Sequence, residues 1–277
     1  MPFIAVDHEG GSVNRFMPGV ADMPAAGSYK KMMEDESIDR EKIIESIFTD
    51  SLNSGKIINS LGFNMNFAPV AEYLNDDNKM FLEDRAYSIE PEFTADASAA
   101  FIEGMTHNGI LCVVKHFPGI AGQDPHFFSS TLKGSVEELD ELASPFADLI
   151  SGGYVQALMV SHSAIPARDG DNIASLSRNV METWLRKELG FKGIIICDDF
   201  SMEAAANKEI LNTETAVVLS LAAGADMVMV WPPDITRTQR AILAALNNGN
   251  LPRERLREAA ERIIFEKLRM GLVIRHL

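Results

Sequence analysis

Six apolar runs recur along the chain: "FIAV" from Phe3, "FNMNFAPV" from Phe63, "ILCVV" from Ile110, "ALMV" from Ala157, "GIIIC" from Gly193 and "DMVMV" from Asp226. They are continuous rather than alternating, which predicts parallel strands covered on both faces. Between them lie stretches with helical spacing, among them "DREKIIESIFTDSLNSGKIINSLG", "PEFTADASAAFIEGMTHNG" and "SRNVMETWLRKELG", closing on Gly62, Gly109 and Gly190. Glycine just past the last helical residue is the usual helix stop. Strand therefore alternates with helix, the pattern of βα units around a parallel sheet. No Ser/Gly-rich or Pro-rich linker interrupts it, so residues 1–277 are expected to form a single domain.

An open sheet collects its ligand at one switch point, whereas a (β/α)8 barrel turns every strand's C-terminal end to one mouth. Polar residues follow nearly every run: Asp7 and Glu9, Glu72, Lys115 and His116, His162, then Asp198 and Asp199. Any one alone is explained better by a solvated loop or a helix cap. Together they predict an α/β, TIM-type barrel. Only six runs are visible, the first begins at Phe3, and the two stretches after Trp231 read as helices. The expectation is thus a barrel incomplete at its N-terminus, lacking the first βα units. Its open edge would favour self-association or a cover such as "LVIRHL".

Composition narrows the class. With 46% hydrophobic and 23% charged residues, the 277-residue chain is globular in type. No apolar run approaches the length of a membrane span and no signal-like segment opens the chain, so no membrane partner is expected. A formal charge of −15 argues against nucleic acid, which needs clustered cations, and favours a small neutral ligand. Cys112 and Cys197 lie inside apolar runs and read as reduced core residues, which suits a cytoplasmic protein.

Three segments carry candidate chemistry. In "AVDHEGGSVNRF" a Gly-Gly turn separates Asp7 from Arg15, a pair able to grip neighbouring hydroxyls. Asp7 and His8 are adjacent on a strand end whose side chains alternate, and no HxH or HExxH spacing occurs, so no metal is expected. In "GIIICDDFSMEAA" a buried strand ends in two carboxylates that should point in opposite directions, one into the mouth and one capping a helix starting near Ser201. The mouth carboxylate is a nucleophile, a base or a structural acceptor. "KHFPGIAGQDPH" gathers Lys115, His116, Asp124 and His126 on a loop directly after "ILCVV".

In combination these segments resemble the catalytic domain of family 3 glycoside hydrolases, most closely its single-domain bacterial β-N-acetylglucosaminidases. The resemblance runs through "NFAPVAEY", "EDRAYSIEPE", "VVKHFPG" with its Asp-x-His, "SHSAIP", "ELGFKGIIICDDFSM", "AGADMVMV" and the closing "KLRMGL". It implies a TIM-type barrel, a retaining mechanism, no cofactor, and release of terminal β-linked N-acetylglucosamine from small carbohydrates such as cell-wall peptidoglycan fragments. It assigns Asp198 as nucleophile, His126 as general acid/base oriented by Asp124, and Asp7, Arg15, Arg85, Lys115 and His116 as holders of the sugar's hydroxyls. A histidine titrates near neutrality and can both donate and accept the proton. The chain departs from the family pattern at Ile120, Pro125, Glu72 and Ile173, and its dyad loop is shorter. The alternatives are a catalytically impaired sugar-binding barrel, or a phosphorylase or β-glucosidase of the same family.

Overall fold

The computed structural model describes residues 1–35, 37–202 and 211–273. The chain divides into two compact units, one of Met1–His116 with Glu141–Ala157, the other of Phe117–Asp140 with Leu158–Leu277.

The first unit carries β1 (Ala5–Val6), β2 (Met65–Asn66) and all but the last residue of β3 (Leu111–Phe117), parallel and in that order. Ala5 sits opposite Met65, and Met65 opposite Leu111. All of β3 is buried, as its unbroken apolar run requires. β1 and β2 are shorter than their runs suggest, because side chains replace the ladder. The Asn66 amide accepts from the His8 N–H at 3.0 Å and donates to the His8 carbonyl at 2.8 Å, closing β1 in place of backbone. Helix Arg40–Ser60 starts on Asp39, whose side chain accepts from the Glu41 N–H, and packs along helix Pro91–Thr106. Gly104 permits that approach: a β-carbon there would meet the Phe48 carbonyl at 2.6 Å and the Leu52 nitrogen at 2.8 Å.

The second unit carries a small parallel pair, β4 (Ser130–Thr131) with β6 (Ser163–Ala164), which no apolar run announces. Its main strands are β5 (Ala157–Val160), β7 (Ile194–Asp199) and β8 (Met227–Met229), hydrogen-bonded in that order. Asp226 holds the start of β7 and β8 together. Fully buried, its carboxylate accepts from Arg186 and Arg262 at 2.6 and 2.9 Å, from Arg255, and from the Ile195 N–H at 2.9 Å. The expected helix over "SRNVMETWLRKE" is present as Asn179–Glu188 but with π geometry, so its buried Val180, Met181, Trp184 and Leu185 ride on a wider turn. Two helices, Ile235–Asn248 and Arg253–Arg269, follow β8 as read from the sequence.

The six apolar runs therefore account for six parallel strands among the described residues. Cys112 and Cys197 are buried and unpaired. Burial raises both thiols, Cys197 to about 12, which leaves them unreactive. Among the described residues no helix is long and apolar enough to cross a membrane. Most of "LVIRHL" lies outside the described residues.

Candidate active site

In the first unit, the segment after β1 is folded back by Gly10 and Gly11, at φ +92° and +56°. Both glycines press against residues 23–25. A β-carbon on Gly10 would meet the Pro24 carbonyl at 2.4 Å, and one on Gly11 the Ala25 β-carbon at 2.3 Å. Glu9 and Val13 close the turn by backbone bonds, and Arg15 returns to Asp7 at 3.1 Å. Lys115, near the end of β3 and almost fully buried, lies between two carboxylates, 2.6 Å from Asp7 Oδ1 and 2.6 Å from Glu9 Oε1. Arg85 grips Glu9 with two parallel bonds, Nε at 2.8 Å and Nη2 at 2.9 Å, and lies over the Phe81 ring. The sugar-binding candidates Asp7, Arg15, Lys115 and Arg85 are thus one cluster. Glu9 is the carboxylate that ties Arg85 into it.

His116 is held separately: Glu72 Oε1 lies 2.8 Å from its Nδ1 and accepts its backbone N–H at 3.2 Å. Glu72, the chain's departure from the family's usual Asp, still reaches the ring. A carboxylate on Nδ1 fixes Nδ1–H and leaves Nε2 as the other polar edge.

Burial alone would raise the Asp7 and Glu9 carboxyls. Burial is the largest single effect on each, but Lys115 and Arg15 together on Asp7, and Lys115 and Arg85 together on Glu9, outweigh it and hold both below the ordinary carboxylate range. Lys115 in turn is raised, because Glu9 and Asp7 overcome the effect of its burial. Both carboxylates, with Lys115 and Arg85, therefore stay charged at neutral pH. Such a surface offers fixed donors and acceptors side by side, which matches vicinal hydroxyls on an uncharged ring.

A carboxyl with a lowered folded pKa stabilises the fold fully above its unfolded value, and that contribution disappears as pH falls through the folded one. Acidification below about pH 4 should therefore lower the melting temperature. Glu9→Gln should flatten this acid limb while lowering stability at neutral pH. Thermal melts between pH 7 and 3 test this, and parallel limbs in both proteins would contradict it.

In the second unit, β7 ends at Asp198 and Asp199. The register with β8 runs Ile196 to Met227 and Cys197 to Val228, then breaks so that Asp199 faces Met229. Asp198 is the extra residue of this bulge. Simple alternation is thus replaced by a local re-aiming, the common use of bulges beside functional sites. Asp198 Oδ1 accepts the Asp199 N–H at 2.8 Å. Asp199 is the structural partner: its carboxylate accepts from the Ser201 N–H at 2.8 Å and from the Trp231 indole N–H at 2.6 Å. The first bond has cap geometry, while the expected helix beyond lies largely outside the described residues.

His162, a strand-end residue to which the sequence gives no role, supports this end of β7. Its Nε2 donates to the Asp199 carbonyl at 3.2 Å and its Nδ1 accepts from the Ser175 hydroxyl at 2.6 Å. Burial lowers its pKa despite Asp198 and Asp199, so the ring is neutral. It orients rather than titrates.

Asp124 and His126 form the pair expected of them. Asp124 Oδ1 lies 2.6 Å from His126 Nδ1 and accepts the His126 backbone N–H at 2.9 Å. The Asp124 carbonyl accepts from the N–H groups of Phe127 and Phe128, so Pro125 sits inside a closed turn. The side chain of His126 is 60% exposed. Beyond the pair the loop is fastened by serines: Ser130 Oγ accepts from the Ala121 N–H at 3.0 Å and meets Ser163 Oγ at 2.7 Å, and Ser163 donates to the Gly119 carbonyl at 2.9 Å. Among the described residues no group of three or more His, Cys, Asp or Glu side chains is arranged to hold a metal ion.

Parallel strands alternating with helices define the α/β class of fold. The chain belongs to glycosyl hydrolase family 3: residues 2–265 match the family's N terminal domain. It is similar to the beta-hexosaminidase of Idiomarina loihiensis, 32% identical over 230 residues, covering 82% of this chain and 66% of that protein. The beta-hexosaminidase of Hydrogenovibrio crunogenus is likewise 32% identical, over 264 residues, 91% of this chain and 70% of that one. Among solved structures, a glycoside hydrolase family 3 β-N-acetylglucosaminidase from Paenibacillus sp. strain FPU-7 matches with a TM-score of 0.87 and 30% identity, over 98% of this chain and 50% of its own. The chain thus spans about two thirds of these curated relatives and half of that solved structure. The fold is the expected TIM-type barrel domain, with six of its strands among the described residues.

Proposed function

We propose that the protein is a retaining glycoside hydrolase that releases terminal β-linked N-acetylglucosamine from small carbohydrates, with cell-wall fragments as the natural source. The observation that carries this reading is the Asp124–His126 pair, closed at 2.6 Å on an exposed loop. A carboxylate on Nδ1 leaves Nε2 to exchange the proton with the leaving oxygen and then with water.

In this scheme Asp198 attacks the anomeric carbon as the bond to the leaving oxygen breaks, and His126 gives that oxygen its proton. A covalent glycosyl-enzyme results. His126 then takes a proton from water, which attacks the same carbon and frees the Asp198 carboxylate with net retention. Asp7, Arg15, Arg85, Lys115 and His116 hold the hydroxyls. No step calls for a cofactor. The two buried thiols suit a reducing compartment such as the cytoplasm.

Hydrolysis of para-nitrophenyl β-N-acetylglucosaminide, with the first-formed anomer read by proton NMR, tests the scheme. Retention supports it, and inversion or absence of turnover removes it. His126→Ala should lose roughly 10²–10⁴-fold on an N-acetylglucosamine disaccharide, the usual contribution of a positioned acid/base. On the nitrophenyl glycoside, whose leaving group needs no proton, glycosylation should be nearly spared. Equal losses on the two substrates would argue against His126 as the proton donor.

A further inference from the structure

Trp231 lies two residues beyond β8, and 58% of it is exposed. The scheme above gives it no task. Exposed indoles are common singly, but this one is anchored. Its N–H is committed to Asp199 Oδ2 at 2.6 Å, which removes the polar edge from play and leaves the ring as an apolar plate. The backbone is fixed too. The Trp231 carbonyl accepts from the Asp234 N–H at 2.9 Å, closing a short turn through Pro232 and Pro233, and Arg237 pairs with Asp234 and, at 3.3 Å, with Glu214.

The anchor is a neighbour of the proposed nucleophile. Asp199 donates its N–H to the Asp198 carboxylate, and accepts from His162 on its carbonyl and from Trp231 on its own carboxylate. Ring and nucleophile are therefore positioned by one residue at the bulged end of β7. A rigid aromatic plate with few rotatable bonds loses little entropy on binding, and its face complements the C–H face of a sugar ring, which is the apolar side of an otherwise polar ligand. Phe127 and Phe128 are also exposed, but among the described residues no comparable anchor ties either ring to Asp198 or Asp199.

We infer that Trp231 is a stacking platform for a pyranose ring at the Asp198 end of β7, with Asp199 as its positioning residue. This rests on the hydrolase reading for the identity of the sugar, not for the existence of the platform.

The protein's tryptophan content makes the test direct. It has two, and Trp184 is buried, with the Arg168 guanidinium 3.8 Å from its ring centre. Titrating the protein with N-acetylglucosamine should give a saturable change in indole emission, absent with glycerol as a non-ring polyol and absent in Trp231→Phe, where only Trp184 reports. Trp231→Ala should raise the Kd about tenfold, by calorimetry, at an unchanged melting temperature. Unchanged emission on adding the sugar, or equal affinity in Trp231→Ala, would overturn the platform. The nitrophenyl assay keeps the two ideas separate. Turnover without an emission change sinks the platform alone, and an emission change without turnover sinks the hydrolase reading alone.

Discussion

Asp198→Asn should abolish turnover, by roughly 10⁴-fold or more, the scale on which removal of a catalytic nucleophile or its partner acts in other hydrolases. The substitution keeps the shape of the side chain, and its amide oxygen can still accept the Asp199 N–H that the carboxylate accepts at 2.8 Å. What it removes is the attacking charge. Folding should therefore be spared, and the melting temperature should stay close to that of the parent. Asp199→Asn offers the contrast. Asp199 is engaged by Ser201 and Trp231 and is half-buried, so its loss should disturb the strand end without removing the nucleophile. If Asp198→Asn retained more than a few per cent of activity while Asp199→Asn was dead, the roles of the two carboxylates would be reversed.

The geometry of Asp198 and Asp199 shows where alternation along a strand stops being a guide. Alternation along a strand says that two adjacent carboxylates diverge, and no more. The bulge decides which residue is extra, and a bulge depends on how β8 registers against β7, a long-range match with no local period. The same distinction holds across the fold. The six main strands were legible because each is a continuous apolar run, and the helix ends because Gly62, Gly109 and Gly190 all adopt positive φ. The β4–β6 pair was not legible, since its residues are mostly serine and threonine and no burial pattern marks them. Its function, fastening the dyad loop through Ser130 and Ser163, exists only between segments 33 positions apart. Asn66 was invisible for a related reason: a side chain that imitates backbone shortens β1 without altering the hydrophobic pattern. In the Asp7–Glu9–Lys115 cluster the residue types were readable, but Glu9 acquires its place through Arg85, 76 positions away, and Lys115.

That cluster supports the second large effect. Lys115→Met should destabilise the protein by about 3–5 kcal/mol, the usual cost of removing one member of a buried ion pair while its partner stays charged. Lys115 Nζ stands 2.6 Å from both Asp7 and Glu9, and only 3% of its side chain reaches solvent. Met occupies similar volume, so packing changes little and the electrostatic loss dominates. Glu9 would keep Arg85, and Asp7 would keep Arg15, whose side chain is 60% exposed and therefore a screened, weaker partner. With Lys115 gone, burial again pulls both carboxyls toward protonation. The loss should consequently be smaller at pH 4 than at pH 7, the reverse of the wild-type trend. Adding Glu9→Gln to Lys115→Met removes one of the two carboxylates that have lost Lys115 while leaving a side chain able to accept from Arg85, so the double variant should be more stable than the sum of the single effects by at least about 1 kcal/mol. Urea unfolding of the four proteins gives the coupling energy. Strict additivity, with a cost for Lys115→Met under 1 kcal/mol, would mean that Lys115 does not hold the two carboxylates together as their 2.6 Å contacts indicate.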